Sequence, residues 1–155
     1  MTCTTTPGWL PRAVGDDAGN AIIEFVYLAL LLMVPLVYVL LTVFRVQGAA
    51  YAVSGAAREA GRVYVVTEPA EEAPARALAA ASLVMADGGL TLEPDQLAVT
   101  CSAEPCRTPG ATVDVAIDYA VALPFLPRFL GGGAPAAVRV SSRHLEVVDR
   151  FRAVR

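Results

Sequence analysis

Few residues in this 155-residue chain could do chemistry, and their spacing narrows what they could do. His144 is the single histidine, so any Ser-His-Asp site would have to use it. No Gly-x-Ser-x-Gly turn accompanies it, and it reads instead as a histidine on an edge strand. Asp114 and Asp118 share one face of a period-two segment, which would allow a carboxylate pair; a solvated strand face is the simpler reading. Gly131-Gly132-Gly133 has no Lys-Ser/Thr ending and no amphipathic helix after it, so it is a flexible connection and not a phosphate loop. Cys101 and Cys106 enclose Ser102-Ala103-Glu104-Pro105, a turn-forming stretch. That spacing suits a small disulfide loop between strand ends in an oxidising compartment, with two free buried thiols as the alternative. No second cysteine pair or histidine cluster lies nearby, so no zinc site is expected. Cys3 has no partner. Neither a cofactor nor enzymatic activity is expected.

One carboxylate sits in an unusual place. Glu24 lies in Ala21-Ile22-Ile23-Glu24-Phe25, against a long apolar run. An ionised carboxylate near hydrocarbon costs a few kcal/mol unless it is paired or reaches the interface. One reading makes Glu24 the wet end of a helix, close to Asp16, Asp17 and Asn20. The other starts from Gly19, five residues before it. If the chain were cut after Gly19, Asn20 would gain a free ammonium group able to pair with Glu24 of its own chain or a neighbour.

The elements that must position these residues follow from hydropathy. From Phe25 to Phe44 no residue is charged, and only Pro35 and Thr42 are not hydrophobic. At about 1.5 Å per residue such a helix spans roughly 30 Å, the thickness of a bilayer's hydrocarbon core. A buried core helix would rarely lack a polar face over that length, so a single transmembrane helix is expected, kinked at Pro35. Arg45, Arg58 and Arg62 follow the span and only Arg12 precedes it, a count that would put the C-terminal side in the cytoplasm. The cysteine spacing argues the opposite.

Residues 45–66 continue the helix. Gly48, Ala52, Ala56 and Ala60 recur every four residues, either as a stripe for close helix approach or as plain alanine bias. Pro69 ends this helix. A second is expected over about 70–86, with Pro74 in its first turn, Glu71 and Glu72 at its positive end, and Gly88-Gly89 as the stop. The period then becomes two. Leu97, Val99 and Cys101 alternate, as do Val113, Val115, Ile117, Tyr119 and Val121. Val138 and Val140 open a third strand whose apolar phase moves to Leu145 and Val147 after Ser141-Ser142, a slip that predicts a bulge. Turn-rich connections, one of them Pro124 through Gly133, make neighbouring strands antiparallel. The expected class is α+β: a long N-terminal helix, a second helix, and a small antiparallel sheet of about three strands, covered by helix because so thin a sheet cannot stand alone.

Composition agrees. The chain is 55% hydrophobic and 17% charged, the reverse of a disordered sequence. Twelve basic against fifteen acidic residues leave a net charge of −3, without the basic excess of a nucleic-acid binder.

Gly19-x-x-x-x-Glu24-Phe25 leading into an apolar helix resembles the class III signal of type IV pilins and pilin-like proteins. Downstream, Gln47-Gly48-Ala49-Ala50 through Ala56-Ala57-Arg58-Glu59-Ala60-Gly61-Arg62 is similar to the TadE-like family of tight-adherence (Flp) pilus assembly proteins. The Cys101/Cys106 pair, Pro124-Phe125-Leu126-Pro127 and Val148-Asp149-Arg150-Phe151-Arg152 look like pieces of actinobacterial members. The specific resemblance covers about residues 15–62. It implies a minor pilin or pseudopilin in which a prepilin peptidase cuts between Gly19 and Asn20, and Glu24 with Phe25 serves assembly. It also implies a leader over 1–19 in the cytoplasm, a membrane helix over 20–44, and an extracytoplasmic head over 45–155. The implied partners are membrane lipid, other pilin-like subunits and the pilus assembly platform, with no nucleic acid. A reading of a different class is a single-pass, membrane-anchored extracellular binding or sensor domain that never assembles into pili.

Overall fold

An uninterrupted apolar sequence offers a helix no wet face, whereas residues after Phe44 alternate small apolar side chains with polar ones. Helix α1, Asp17–Val66, carries both regimes along 50 residues. The computed structural model describes residues 17–123 and 136–151, with side chains from residue 21 onward. The remaining elements are helix α2 (Ala73–Asp87) and strands β1 (Leu97–Cys101), β2 (Thr112–Ala122) and β3 (Ala137–Val147). Short 3-10 turns at Ala70–Glu72 and Pro94–Gln96 lead into α2 and β1. The fold is the expected α+β arrangement. The chain divides into two units, Met1–Leu40 and Leu41–Arg155. In the first, none of the described side chains of α1 is buried and all but half-buried Tyr38 are exposed, Phe25 at 72% and Leu32 at 70% among them. Pro35 lies inside the helix.

In the second unit α1 buries one face. Ala49, Val53, Ala56, Ala57, Ala60, Tyr64 and Val65 recur at helical spacing and are all buried. Helix α2 answers with Ala73, Ala77, Ala81 and Met85, each at 0% exposure and one turn apart. Residues this small let the two helices approach closely. A Cβ built on Gly55 would lie 3.3 Å from Val84 Cγ1, and one on Gly88 would lie 3.1 Å from Ala52 Cβ. Two positions of the Gly48–Ala60 stripe, Ala56 and Ala60, are fully buried and Ala52 touches the end of α2, so the fold itself uses this face. Only Gly48 at its start faces open space. Pro74 stands in the first turn of α2, and Gly88-Gly89 stop it as expected. Gly89 takes φ +69°, a conformation open to glycine at no steric cost, and the Leu90 N–H then closes back on the Met85 carbonyl at 3.0 Å.

The sheet is antiparallel throughout, in the order β1-β2-β3. Val113, Val115, Ile117 and Val121 of β2 point into the core with Val148, at 0–2% exposure. The register corrects one expectation. The β2–β3 pairing runs unbroken from Thr112↔Val147 to Ala122↔Ala137, with no bulge at Ser141-Ser142. Strand β3 keeps one phase, so Val140, Ser142, His144 and Glu146 face the helices. Leu145 and Val147 are turned out, 61% and 53% exposed. The reason lies on α1: a Cβ on Gly61 would sit 3.3 Å from His144 Cδ2, 3.5 Å from Glu146 Cβ and 3.7 Å from Val115 Cγ2. The missing side chain makes room for an imidazole where the apolar pattern predicts an aliphatic residue. The Pro124–Gly133 connection, the glycine triplet, Pro124-Phe125-Leu126-Pro127, Cys3 and Arg152 lie outside the described residues.

Candidate functional site

Three places gather the residues with chemical potential. The first is the start of α1. Gly19 and Asn20 belong to its helical backbone, and Glu24 and Phe25 follow on the same helix, both exposed. Four residues of helix advance about 6 Å and return to the same face. The amide nitrogen of Asn20 therefore stands one turn before Glu24, on its side of the helix. Among the described residues α1 is the one helix long and apolar enough to cross a membrane, with a mean hydropathy of 2.6 in its most apolar stretch and none of that stretch buried. It is a candidate single membrane span with a carboxylate near one end.

The second place is the Cys101–Cys106 disulfide, which the structure forms with Cα atoms 5.2 Å apart. The bridge closes the end of β1 onto the loop that leads to β2. Ser102 ties this loop to the sheet twice. Its N–H donates to the Thr112 carbonyl at 3.0 Å, and its hydroxyl accepts from the Thr112 N–H at 2.9 Å. Thr108 closes the other side, its N–H and hydroxyl both donating to the Pro105 carbonyl. Between Cys106 and Thr108 lies Arg107, which sequence reasoning did not single out. Its side chain is only 9% exposed, and Nη2 reaches Glu68 Oε1 at 3.1 Å and the Val65 carbonyl at 3.4 Å. Its Nε and Nη1 are buried without a hydrogen-bond partner among the described residues. The only sequence signal was position: an arginine directly after a loop-closing cysteine is carried inward with it. The loop thereby fastens β1 and β2 to the end of α1.

The third place is the contact of α1 with β3. His144 Nε2 lies 3.1 Å from Glu146 Oε2 on the strand face toward Gly61, and both side chains are about one-third exposed. Nearby on α1, Arg62 hydrogen-bonds Glu59 through both its Nε and Nη2. This contact holds the Glu59 carboxyl below the usual carboxylate range and, with Glu146 adding a smaller share, raises Arg62. His144 stands on an edge strand, and its hydrogen-bond partner here is the Glu146 carboxylate and not a serine hydroxyl or cysteine thiol. Asp114 and Asp118 do share the outer face, but four residues of strand put them about 13 Å apart, too far to share a proton. Asp114 is half-buried, with Arg143 Nε 3.4 Å away, and Asp118 is exposed. Among the described residues no three His, Cys, Asp or Glu side chains are placed to hold a metal ion.

Comparison with protein-family models, with curated proteins and with solved structures found no match to this chain. The functional reading therefore rests on these three places and on the resemblance of residues 15–62.

Proposed function

We propose that this chain is a non-enzymatic, single-span membrane subunit of the pilin-like type, working in a tight-adherence pilus or related secretion apparatus as a TadE-like protein. The observation that carries the reading is the build of α1. One helix holds Gly19, Asn20 and Glu24 within about a turn and a half, then twenty uncharged residues, none of them buried, then a wall of an α+β head. In this reading a peptidase cuts after Gly19, and the new ammonium on Asn20 neutralises Glu24 of the same or a neighbouring subunit. The Cys101–Cys106 bridge supports an extracytoplasmic head and a cytoplasmic N-terminus, because disulfides persist in oxidising compartments. No catalytic role is assigned to His144, Asp114 or Asp118.

The test is the mass of the mature protein in cells with an active prepilin peptidase. Loss of residues 1–19 is expected, and full-length protein removes processing from the account. Glu24→Ala should then lower incorporation into sheared pilus fractions while membrane insertion persists; normal incorporation rejects the pairing role. One observation favours the second reading, an anchored binding or sensor domain that never polymerises. The Gly19–Asn20 peptide lies inside helical backbone, which a peptidase would have to unwind. Retention of residues 1–19 and absence from pilus fractions would establish that alternative.

A further inference from the structure

Among the described residues the head's sheet is open on both sides. In the order β1-β2-β3 the two outer strands are edges, and among the described residues no strand pairs with either outer side. Hydrogen-bond alternation says which backbone groups lie there. The Ser102 N–H donates to Thr112, so Leu97, Val99 and Cys101 turn their N–H and C=O groups away from β2. On the other side the Leu123 N–H donates to Ala136 and the Val148 N–H to Ala111. Arg139, Ser141, Arg143, Leu145 and Val147 therefore turn theirs outward. Strand β3 is a long edge of 11 residues, without proline or bulge, and carries exposed Leu145 and Val147. Such an edge is a template for pairing, guarded here only by charge.

The two edges are complementary. Along β3 the exposed charges on the outer face are Arg139 and Arg143, whereas exposed Glu93 and Asp95 precede β1. Arg143 and Ala98 both pair with Ala116, so Arg139, four residues earlier, stands level with the Pro94–Gln96 turn that holds Asp95. Beside β1 runs an apolar groove of about 340 Å³, walled by Pro74, Ala75 and Leu78 on the α2 side and by Pro94, Leu97 and Val99 on the β1 side. On β3, Val138 and Val140 project to the same face of the sheet as that groove.

We propose that the β3 edge of one copy of this chain adds to the β1 edge of a second copy, so that the sheet continues from head to head. β1 and β3 both run antiparallel to β2 and hence parallel to each other. Copies facing the same way therefore form a parallel ladder. Such a ladder needs the bonding residues of one strand to point their side chains to one face and those of the other strand to the opposite face. Leu97 and Val99 point inward while Arg139, Ser141 and Arg143 point outward, as the ladder requires. Val138 and Val140 enter the groove, and Arg139 meets Asp95. The contact is heterologous and does not close on itself, so it makes rows of heads. It goes beyond the pilus reading and needs neither cleavage after Gly19 nor the Glu24 pair.

The test uses full-length chains in membranes, in a Cys3→Ser background. Two differently tagged chains, one Ala98→Cys and one Ser141→Cys, are mixed and treated with a short bifunctional thiol reagent. Unlike pairs should dominate over like pairs. Arg139→Glu should cut their yield roughly fivefold, the effect of one interfacial ion pair, and Asp95→Arg in the partner should restore it. Three results overturn the inference: no enrichment of unlike pairs, dominance of Ser141→Cys like pairs, or an Arg139→Glu loss that Asp95→Arg does not restore. The mature mass read on the same sample reports cleavage separately, which distinguishes failure of this inference from failure of the pilus reading.

Discussion

Replacing both Cys101 and Cys106 with Ser tests how the head is held together. The bridge spans a sequence separation of only 5, so the unfolded chain loses little freedom by closing it. The loop-entropy relation gives about 2 kcal/mol for a ring this small, less than the roughly 3 kcal/mol of a 15-residue loop. That constraint acts at a junction, because the loop carries Arg107 onto Glu68 and the Val65 carbonyl. Removing it should lower the stability of the whole head and not merely loosen the loop. The assay is native-state hydrogen exchange on the full-length chain in micelles, read at the amides of Val113, Val115 and Ile117, whose side chains are fully buried. A loss of about 2 kcal/mol should speed their exchange about 30-fold. Exchange within about threefold of the parent at these amides, with acceleration confined to residues 102–110, would refute the reasoning. The loop would then be a local clip with no hold on α1.

Other expectations follow from single contacts. Gly88→Ala pushes a methyl carbon to 3.1 Å from Ala52 Cβ and 3.3 Å from the Met85 carbonyl, both fixed to helix backbone, and should cost about 1–2 kcal/mol in the same exchange assay. Gly48→Ala meets nothing within 4 Å and should stabilise α1 by up to about 1 kcal/mol; an equal effect of the two changes would contradict the packing described. Arg107→Met keeps an aliphatic stem and removes a buried charge, so it should cost less than about 1 kcal/mol, whereas Arg107→Ala also leaves a cavity and should cost about 2–3 kcal/mol. Arg62 lowers the folded-state pKa of Glu59, so this pair stabilises fully above the ordinary Glu value of about 4.3 and is lost as pH falls through the lower folded value. Unfolding curves of the parent and Glu59→Gln should therefore differ at pH 7 and converge in acid, and a gap that widens in acid would reverse the assigned sign.

Local signals made much of the fold legible. The uncharged run from Phe25 to Phe44 has no face to bury selectively, and the structure buries none of it. Gly88-Gly89 ends α2 because left-handed backbone is a local property of glycine, and Gly89 shows it with φ +69°. The alternation of Val113 through Val121 required one wet and one dry face, and the strand has them. Cys101 and Cys106 could bridge because a short turn-forming stretch brings their Cα atoms within reach.

What lay beyond the sequence depended on partners distant along the chain. The apolar phase of β3 pointed to Leu145 and Val147, yet hydropathy cannot say which face a strand shows once another element supplies the room. Gly61, more than eighty residues away, gives His144 its place and sends Leu145 to solvent. The small-residue stripe of α1 could have served another chain; the fold instead buries Ala56 and Ala60 in its own core and sets Ala52 against the end of α2. Arg107 looked like any loop arginine until β1, β2 and the end of α1 converged on it. The sequence by itself thus determined the elements, the apolar span and the bridging cysteines, since each rests on neighbours a few residues apart. Tertiary structure alone decided which faces are shared, which charge is buried and which sheet edges stay open, because those follow from register and close approach between segments that no local pattern relates.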